Sequence, residues 1–217
     1  MKEYEAAFTD KTKAIIINTP HNPVGKVFTR EELQKIADVA IKHNVLVIAD
    51  EVYDCMVYDD TKHFRIASLP GMWERTLTVC SGGKSFAATG WRVGWLIGDQ
   101  KLIGATLAAH SRLVFCTNGP MQEAMAIGLE GAEEHKFFEE QTKEYQERRD
   151  ILLSYFDQLG LPYTKPDGSY FVLVDMSKIK VPEDFPIPDT CKGRGKDFQV
   201  CWWMAQEIGV VAIPPSE

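Results

Sequence analysis

AIIINTPHNPVGKVFTREELQKIADVAIKHNVLVIAD, residues 14–50, decides the fold. AIIIN (14–18) is an unbroken apolar run that stops at Pro20, Pro23 and Gly25, the pattern of a buried strand leading into a loop. Thr29 then opens a helix, and Glu32 three residues on completes a capping box. Leu33, Ile36, Ala37, Ala40 and Ile41 share one face at helical spacing. VLVIAD (45–50) is a second buried strand, ending in acidic residues. A strand–helix–strand start with strands this apolar predicts an α/β fold with a largely parallel sheet covered on both faces.

The same alternation continues outward. TLTVC (76–80) and GWRVGWLIG (90–98) read as a third and a fourth strand. After Gly98 the pattern turns helical, over 99–114 and 120–130. A long amphipathic helix from Glu133 to about Leu159 carries Phe138, Tyr145, Leu152, Tyr155 and Leu159. YFVLVD (170–175) and VVAI (210–213) read as strands, 181–196 as a Pro-rich charged loop and 197–208 as a helix. These patterns place a domain boundary near residue 130. Residues 1–130 form a first domain, and 131–217 hold the long helix and part of a smaller α/β domain. There is no internal repeat, and KEYQERRD (143–150) reads as a solvated helix face.

Composition narrows the function. The 217 residues are 45% hydrophobic and 25% charged, enough apolar material for a real core. A net charge of −7 repels phosphate backbones and argues against nucleic acid as a partner. No apolar run is long enough to span a bilayer, and MKEYEAAFTD lacks the apolar centre of a signal peptide. The cysteines, Cys55, Cys80, Cys116, Cys191 and Cys201, are odd in number and form no CxxC pair. They read as buried or incidental thiols in a reduced cytoplasmic setting, without metal-ligand spacing.

The chemistry turns on SGGKSFAATGWRVGW, residues 81–95. A phosphate loop needs a glycine five positions before Gly83, where Thr78 stands, and a helix directly after the lysine, where the pattern resumes as a strand. A surface lysine in a glycine-rich turn is the plain alternative. Three strand ends weigh against it. The first strand runs into TPHNPVG (19–25), the second ends in DEVY (50–53) and the third runs into SGGK. Ligands of open α/β sheets bind at the carboxyl ends of the strands. Asn22, Asp50, Tyr53, Ser81, Lys84 and Arg92 can therefore line one pocket.

Those six groups suit pyridoxal phosphate. A lysine amine forms an imine with the aldehyde, and a carboxylate keeps the pyridine protonated as an electron sink. A phenol and an amide hydrogen-bond the ring oxygen. A hydroxyl and a forked guanidinium hold the phosphate. Each residue alone has a dull reading: Asn22 as a turn residue, Asp50 as a cap, Tyr53 as a core aromatic, Arg92 as a surface charge.

N-P-x-G at 22–25, D-E-V-Y at 50–53, S-x-x-K at 81–84 and T-G-W-R-V-G-W at 89–95 resemble the fold-type-I pyridoxal-phosphate-dependent aminotransferases. INTPHNPVGKVFTREEL (17–33) and IASLPGMWERTLTVCSGGKSFAATGWRVGW (66–95) resemble the kynurenine aminotransferases, also called cysteine-S-conjugate β-lyases. The resemblance implies roles. Lys84 carries the cofactor and shuttles protons. Asp50 pairs with the pyridine nitrogen, and Asn22 and Tyr53 hold the ring oxygen. Ser81 and Arg92 bind the phosphate. Asn22 also faces the substrate carboxylate, and Phe115 matches an aromatic that reaches the neighbouring site of a homodimer. The Asn22–Pro23 bond is expected to be cis. The implied reaction is transamination of kynurenine, glutamine or another aromatic or sulfur amino acid with a 2-oxo acid. A substrate with a β-carbon leaving group would be eliminated instead.

The resemblance also implies segments before AIIIN and after VVAIPPSE, including a carboxylate-binding arginine that Arg194 does not match. The expectation is a chain holding the lysine side of the site, with little turnover and poor folding alone. Two further readings fit the residues: a non-catalytic protein that keeps the fold for cofactor binding or subunit contact, and another fold-type-I lyase or synthase.

Overall fold

The structure is a computed structural model that describes residues 1–189 and 192–216. Four strands form one sheet in the order β1 (Ala14–Asn18), β2 (Leu46–Asp50), β3 (Thr76–Ser81), β4 (Gly94–Gly98). β1 and β3 flank β2 in parallel, and β4 runs antiparallel to β3 with Ser81 opposite Gly94. The sheet is therefore mixed. Reversing β4 brings its first residues beside the carboxyl ends of the other three strands.

Between β1 and β2 lies α2 (Arg30–Lys42). Thr29 caps it as predicted, its side chain accepting from the Glu32 amide while the Glu32 carboxylate accepts from the Thr29 amide. Leu33, Ile36, Ala37 and Ala40 are buried, but the expected Ile41 is 40% exposed and Val39 is buried in addition. Ile41 sits at the margin of the stripe, beside Gly71. The main core joins this helix face to Ile17, Val45, Val47 and Ala49 of the sheet side and to Ile66, Leu69 and Met72. Each fully buried aliphatic side chain there contributes about 1.5–3 kcal/mol. The expected cover on both faces is seen on this one only: on the opposite face Ile16 is 73% exposed and Leu96 38%.

The other helices are α1 (Lys2–Ala6), α3 (Gly82–Ser85), α4 (Gln100–Leu113), α5 (Gly119–Gly131), α6 (Phe137–Leu159) and α7 (Lys196–Trp203), the last continuing as a π-helical turn over Met204–Ile208. β4 starts later than expected, because Thr89–Trp91 form a 3₁₀ turn. YFVLVD is not a strand; Val174 makes one isolated bridge, to Tyr163. VVAI is not a strand either, with Val211 84% and Ile213 82% exposed. Both segments have β-branched composition, but a strand also needs a neighbour to complete its ladder.

The chain divides into two compact units, Met1–Ile151 with Thr164–Val172, and Leu152–Tyr163 with Leu173–Glu217. In the first, α6 is tied to the loop after Tyr53, Thr142 donating to the Cys55 carbonyl at 2.8 Å and Asp59 N–H to Gln146 at 2.9 Å. In the second, Lys196 donates to the Ser177 carbonyl at 2.8 Å, and Asp197 accepts from the Ser216 amide at 2.9 Å. Among the described residues no helix is long and apolar enough to cross a membrane.

Candidate active site

The site is built on the carboxyl ends of β1, β2 and β3. Asn18 at the end of β1 organises the first two. Its amide donates to the Asp50 carbonyl at 3.1 Å, and its oxygen accepts from the Asn22 amide N–H at 2.7 Å. The turn carrying Asn22 is thereby pinned to the strand carrying Asp50. Both Thr19–Pro20 and Asn22–Pro23 are cis, the second as expected.

Past Asp50 the chain turns, and Asp50 Oδ1 accepts from the Val52 N–H at 3.4 Å. Tyr53 is buried, 3% exposed. Burial pushes its phenol up from the ordinary tyrosine range, helped by Tyr170 and the Asp50 charge and opposed by a hydrogen bond with Asn22. Tyr53 thus interacts with both Asn22 and Asp50.

Lys84 lies in the single turn α3, directly after β3, rather than in an open loop. Its Nζ is 5.7 Å from the ring centroid of Tyr53 and 5.7 Å from that of Tyr170, and it donates to the Tyr170 hydroxyl at 3.1 Å. Gly83 beside it leaves room for the next turn: a Cβ there would lie 3.0 Å from Thr89 Cα and 3.5 Å from the Ser81 hydroxyl. Ser81 ends β3, and Arg92 follows the 3₁₀ turn two residues before β4. Arg92 adopts left-handed backbone (φ 55°), is exposed, and donates to the Thr89 carbonyl at 3.2 Å. Asn22, Asp50, Tyr53 and Lys84 gather closely, with Ser81 at the end of β3 and Arg92 just before β4. Phe115 stands apart, 83% exposed in the turn after α4.

Several residues went unread in the sequence. Glu51 is wholly buried beneath the site, its Oε2 held by His63 at 3.0 Å and by Arg65 at 2.6 Å, with Arg65 also on Asp54 at 2.6 Å. A buried carboxylate needs such partners. Asn18 gave no signal beyond its place at a strand end, and Tyr170 read only as the start of a strand. Burial raises the Cys80 thiol to about 11, and Cys116 is exposed. Cys191 lies outside the described residues. Among those described, no group of His, Cys, Asp or Glu is arranged to hold a metal.

Residues 1–217 match the family of class I and II aminotransferases, and the chain belongs to it. It is 51% identical over 218 residues to a Saccharomyces cerevisiae protein named "Probable kynurenine–oxoglutarate transaminase", covering 100% of this chain and 49% of that one. It is 41% identical over 220 residues to human kynurenine–oxoglutarate transaminase 3, covering 99% and 48%. The crystal structure of Bna3p, a candidate kynurenine aminotransferase from Saccharomyces cerevisiae, superposes with a TM-score of 0.93 at 50% identity, covering 99% of this chain and 51% of that one. The fold is that of the fold-type-I aminotransferases. The chain spans about half the length of the curated relatives it matches.

Proposed function

We propose that this chain forms the lysine-bearing part of a pyridoxal-phosphate-dependent aminotransferase that takes kynurenine, or a related aromatic or sulfur amino acid, with a 2-oxo acid as co-substrate. One observation carries the reading: the Lys84 amine at the end of β3, beside the Tyr53 ring, in a chain of the aminotransferase family. The donor set fits the cofactor. Lys84 offers an amine to its aldehyde, Asp50 a carboxylate to its ring nitrogen, Asn22 and Tyr53 donors to its ring oxygen, and Ser81 and Arg92 donors to its phosphate.

When bound, the cofactor supplies an electron sink for the bonds at the substrate α-carbon. The protein supplies the rest. Asp50 would offer its carboxylate to the ring nitrogen. Tyr53, its phenol kept protonated by burial, donates a hydrogen bond. With the cofactor in place, the Lys84 amine would take the substrate α-proton on its Nζ and give it back. Asn22 orients the substrate carboxylate, and Phe115 reaches across a homodimer interface. The same residues serve β-elimination where the substrate carries a β-carbon leaving group. Residues 1–130 belong to the cofactor domain, and 131–217 to the connecting helix and part of the small domain. The free thiols of Cys55, Cys80, Cys116 and Cys201 accord with a reduced cytoplasmic setting.

The test is borohydride reduction of the cofactor-loaded protein followed by peptide mapping, with kynurenine and 2-oxoglutarate turnover measured in parallel. The label is expected on Lys84 and is lost in Lys84→Ala, with turnover down by at least about 10²–10⁴-fold. A label on another lysine, or on none, overturns the assignment.

A further inference from the structure

Tyr170 is 86 residues from Lys84 in sequence, yet its hydroxyl is the hydrogen-bond acceptor of the Lys84 amine at 3.1 Å. Its ring meets Tyr53 edge to face, centroids 5.3 Å apart at 89°, and stacks on Tyr145 at 6.1 Å. Lys84 therefore has one aromatic wall from the Tyr53 turn and another from a distant segment.

That segment is held from both sides by the turns that carry other site residues. Asp167 and Gly168 N–H groups donate to the Gly25 carbonyl at 2.9 and 3.0 Å. Ser169 N–H donates to the Met56 carbonyl at 2.9 Å, and its hydroxyl to the His21 carbonyl at 3.3 Å. The Tyr58 hydroxyl closes the arrangement on the Ser169 carbonyl. Ser169 is fully buried and left-handed (φ 61°), a conformation that a non-glycine residue holds only when its surroundings impose it. The next residue is Tyr170. The Asn22 turn, the Tyr53 turn and this strap are thus one construction, and it aims a phenol at the amine.

We propose that Tyr170 is a further catalytic residue: its hydroxyl oxygen accepts a hydrogen bond from the Lys84 amine and steadies it while it carries the substrate proton. This rests on the reading of Lys84 given above. The phenol keeps its own proton throughout. Lys84 gains a proton from the substrate α-carbon and gives it back, and the Tyr170 oxygen accepts a hydrogen bond from the protonated amine.

The test uses Tyr170→Phe in the natural protein that carries this sequence, which keeps the ring and removes the oxygen. In the cofactor-free protein, acetic anhydride should acylate Lys84 about two- to tenfold faster than in the wild type, read by peptide mass spectrometry, because the amine has lost its acceptor. In the loaded protein, borohydride should still label Lys84. There kcat should fall about 10- to 100-fold with KM little changed, and the isotope effect of an α-deuterated substrate should rise. Unchanged acylation with unchanged kcat and isotope effect overturns the proposal. So does a variant that loses cofactor or stability while the isotope effect stays put, since that describes packing alone. If the wild type itself is not labelled at Lys84, the reading of the lysine fails first and takes this one with it.

Discussion

Arg149 grips Asp59 with both terminal guanidinium nitrogens, at 3.1 and 3.0 Å. Its side chain is only 4% exposed. It also donates to the Pro166 carbonyl at 3.1 Å and lies 4.9 Å over the Tyr58 ring. One cation on α6 thereby joins the loop after Tyr53 to the strap that delivers Tyr170. Arg149→Ala removes a partner from the Pro166 carbonyl and from the Asp59 and Asp150 carboxylates, leaving Asp59 with Lys165. It should cost about 2–3 kcal/mol in urea or thermal unfolding. A loss under about 0.5 kcal/mol would show that the contact does not hold the strap.

The same pair predicts an acid limb of stability. Arg149, and then Lys165, hold the Asp59 carboxyl below its ordinary pKa. A group depressed in the folded state stabilises fully above its unfolded pKa, about 3.9, and that contribution is lost as pH falls through the folded value. Asp59→Asn should remove this share of the acid loss and lower stability at neutral pH by about 0.5–1 kcal/mol, a small figure because Asp59 is 41% exposed. Identical pH–stability curves for the two proteins below pH 4 or so would refute it.

Asp50→Asn separates chemistry from fold. The Asp50 side-chain oxygen that accepts from the Val52 N–H can be replaced by the asparagine oxygen. Unfolding should therefore barely change. Turnover should drop by roughly 10²–10³-fold or more, because a neutral amide cannot hold the ring nitrogen protonated. Near-normal kcat in Asp50→Asn would remove Asp50 from the site.

Gly25→Ala should damage both. Gly25 is left-handed (φ 75°), and a Cβ there would lie 2.2 Å from Pro166 Cβ and 2.8 Å from Pro166 Cα. The strap would have to retreat, at a cost of about 3 kcal/mol or more. The Lys84–Tyr170 bond should loosen with it, so Lys84 acylation should rise as in Tyr170→Phe. A stable Gly25→Ala protein with a protected Lys84 would contradict this geometry.

Much of the architecture was local and so legible. The Thr29–Glu32 capping box closes over three residues, and the strand–helix–strand register follows from apolar runs and helical spacing. Asn22, Asp50, Tyr53, Ser81, Lys84 and Arg92 could be proposed together because strand ends gather at one edge of an α/β sheet. The segments 170–175 and 210–213 misled, because β-branched composition states a preference while a ladder needs a partner. Three further things came only with the tertiary structure. The reversal of β4 sets Gly94 opposite Ser81 and so fixes the direction from which the chain arrives after Arg92. The folding of 63–65 onto Glu51 gives a buried carboxylate the Arg65 cation and the His63 ring nitrogen. The return of the chain after α6 puts Tyr170 against Lys84. Each of these joins residues whose separation in sequence carries no periodic signal. Short-range hydrogen bonding and side-chain period are written residue by residue, whereas such long-range contacts exist only once the whole chain has packed.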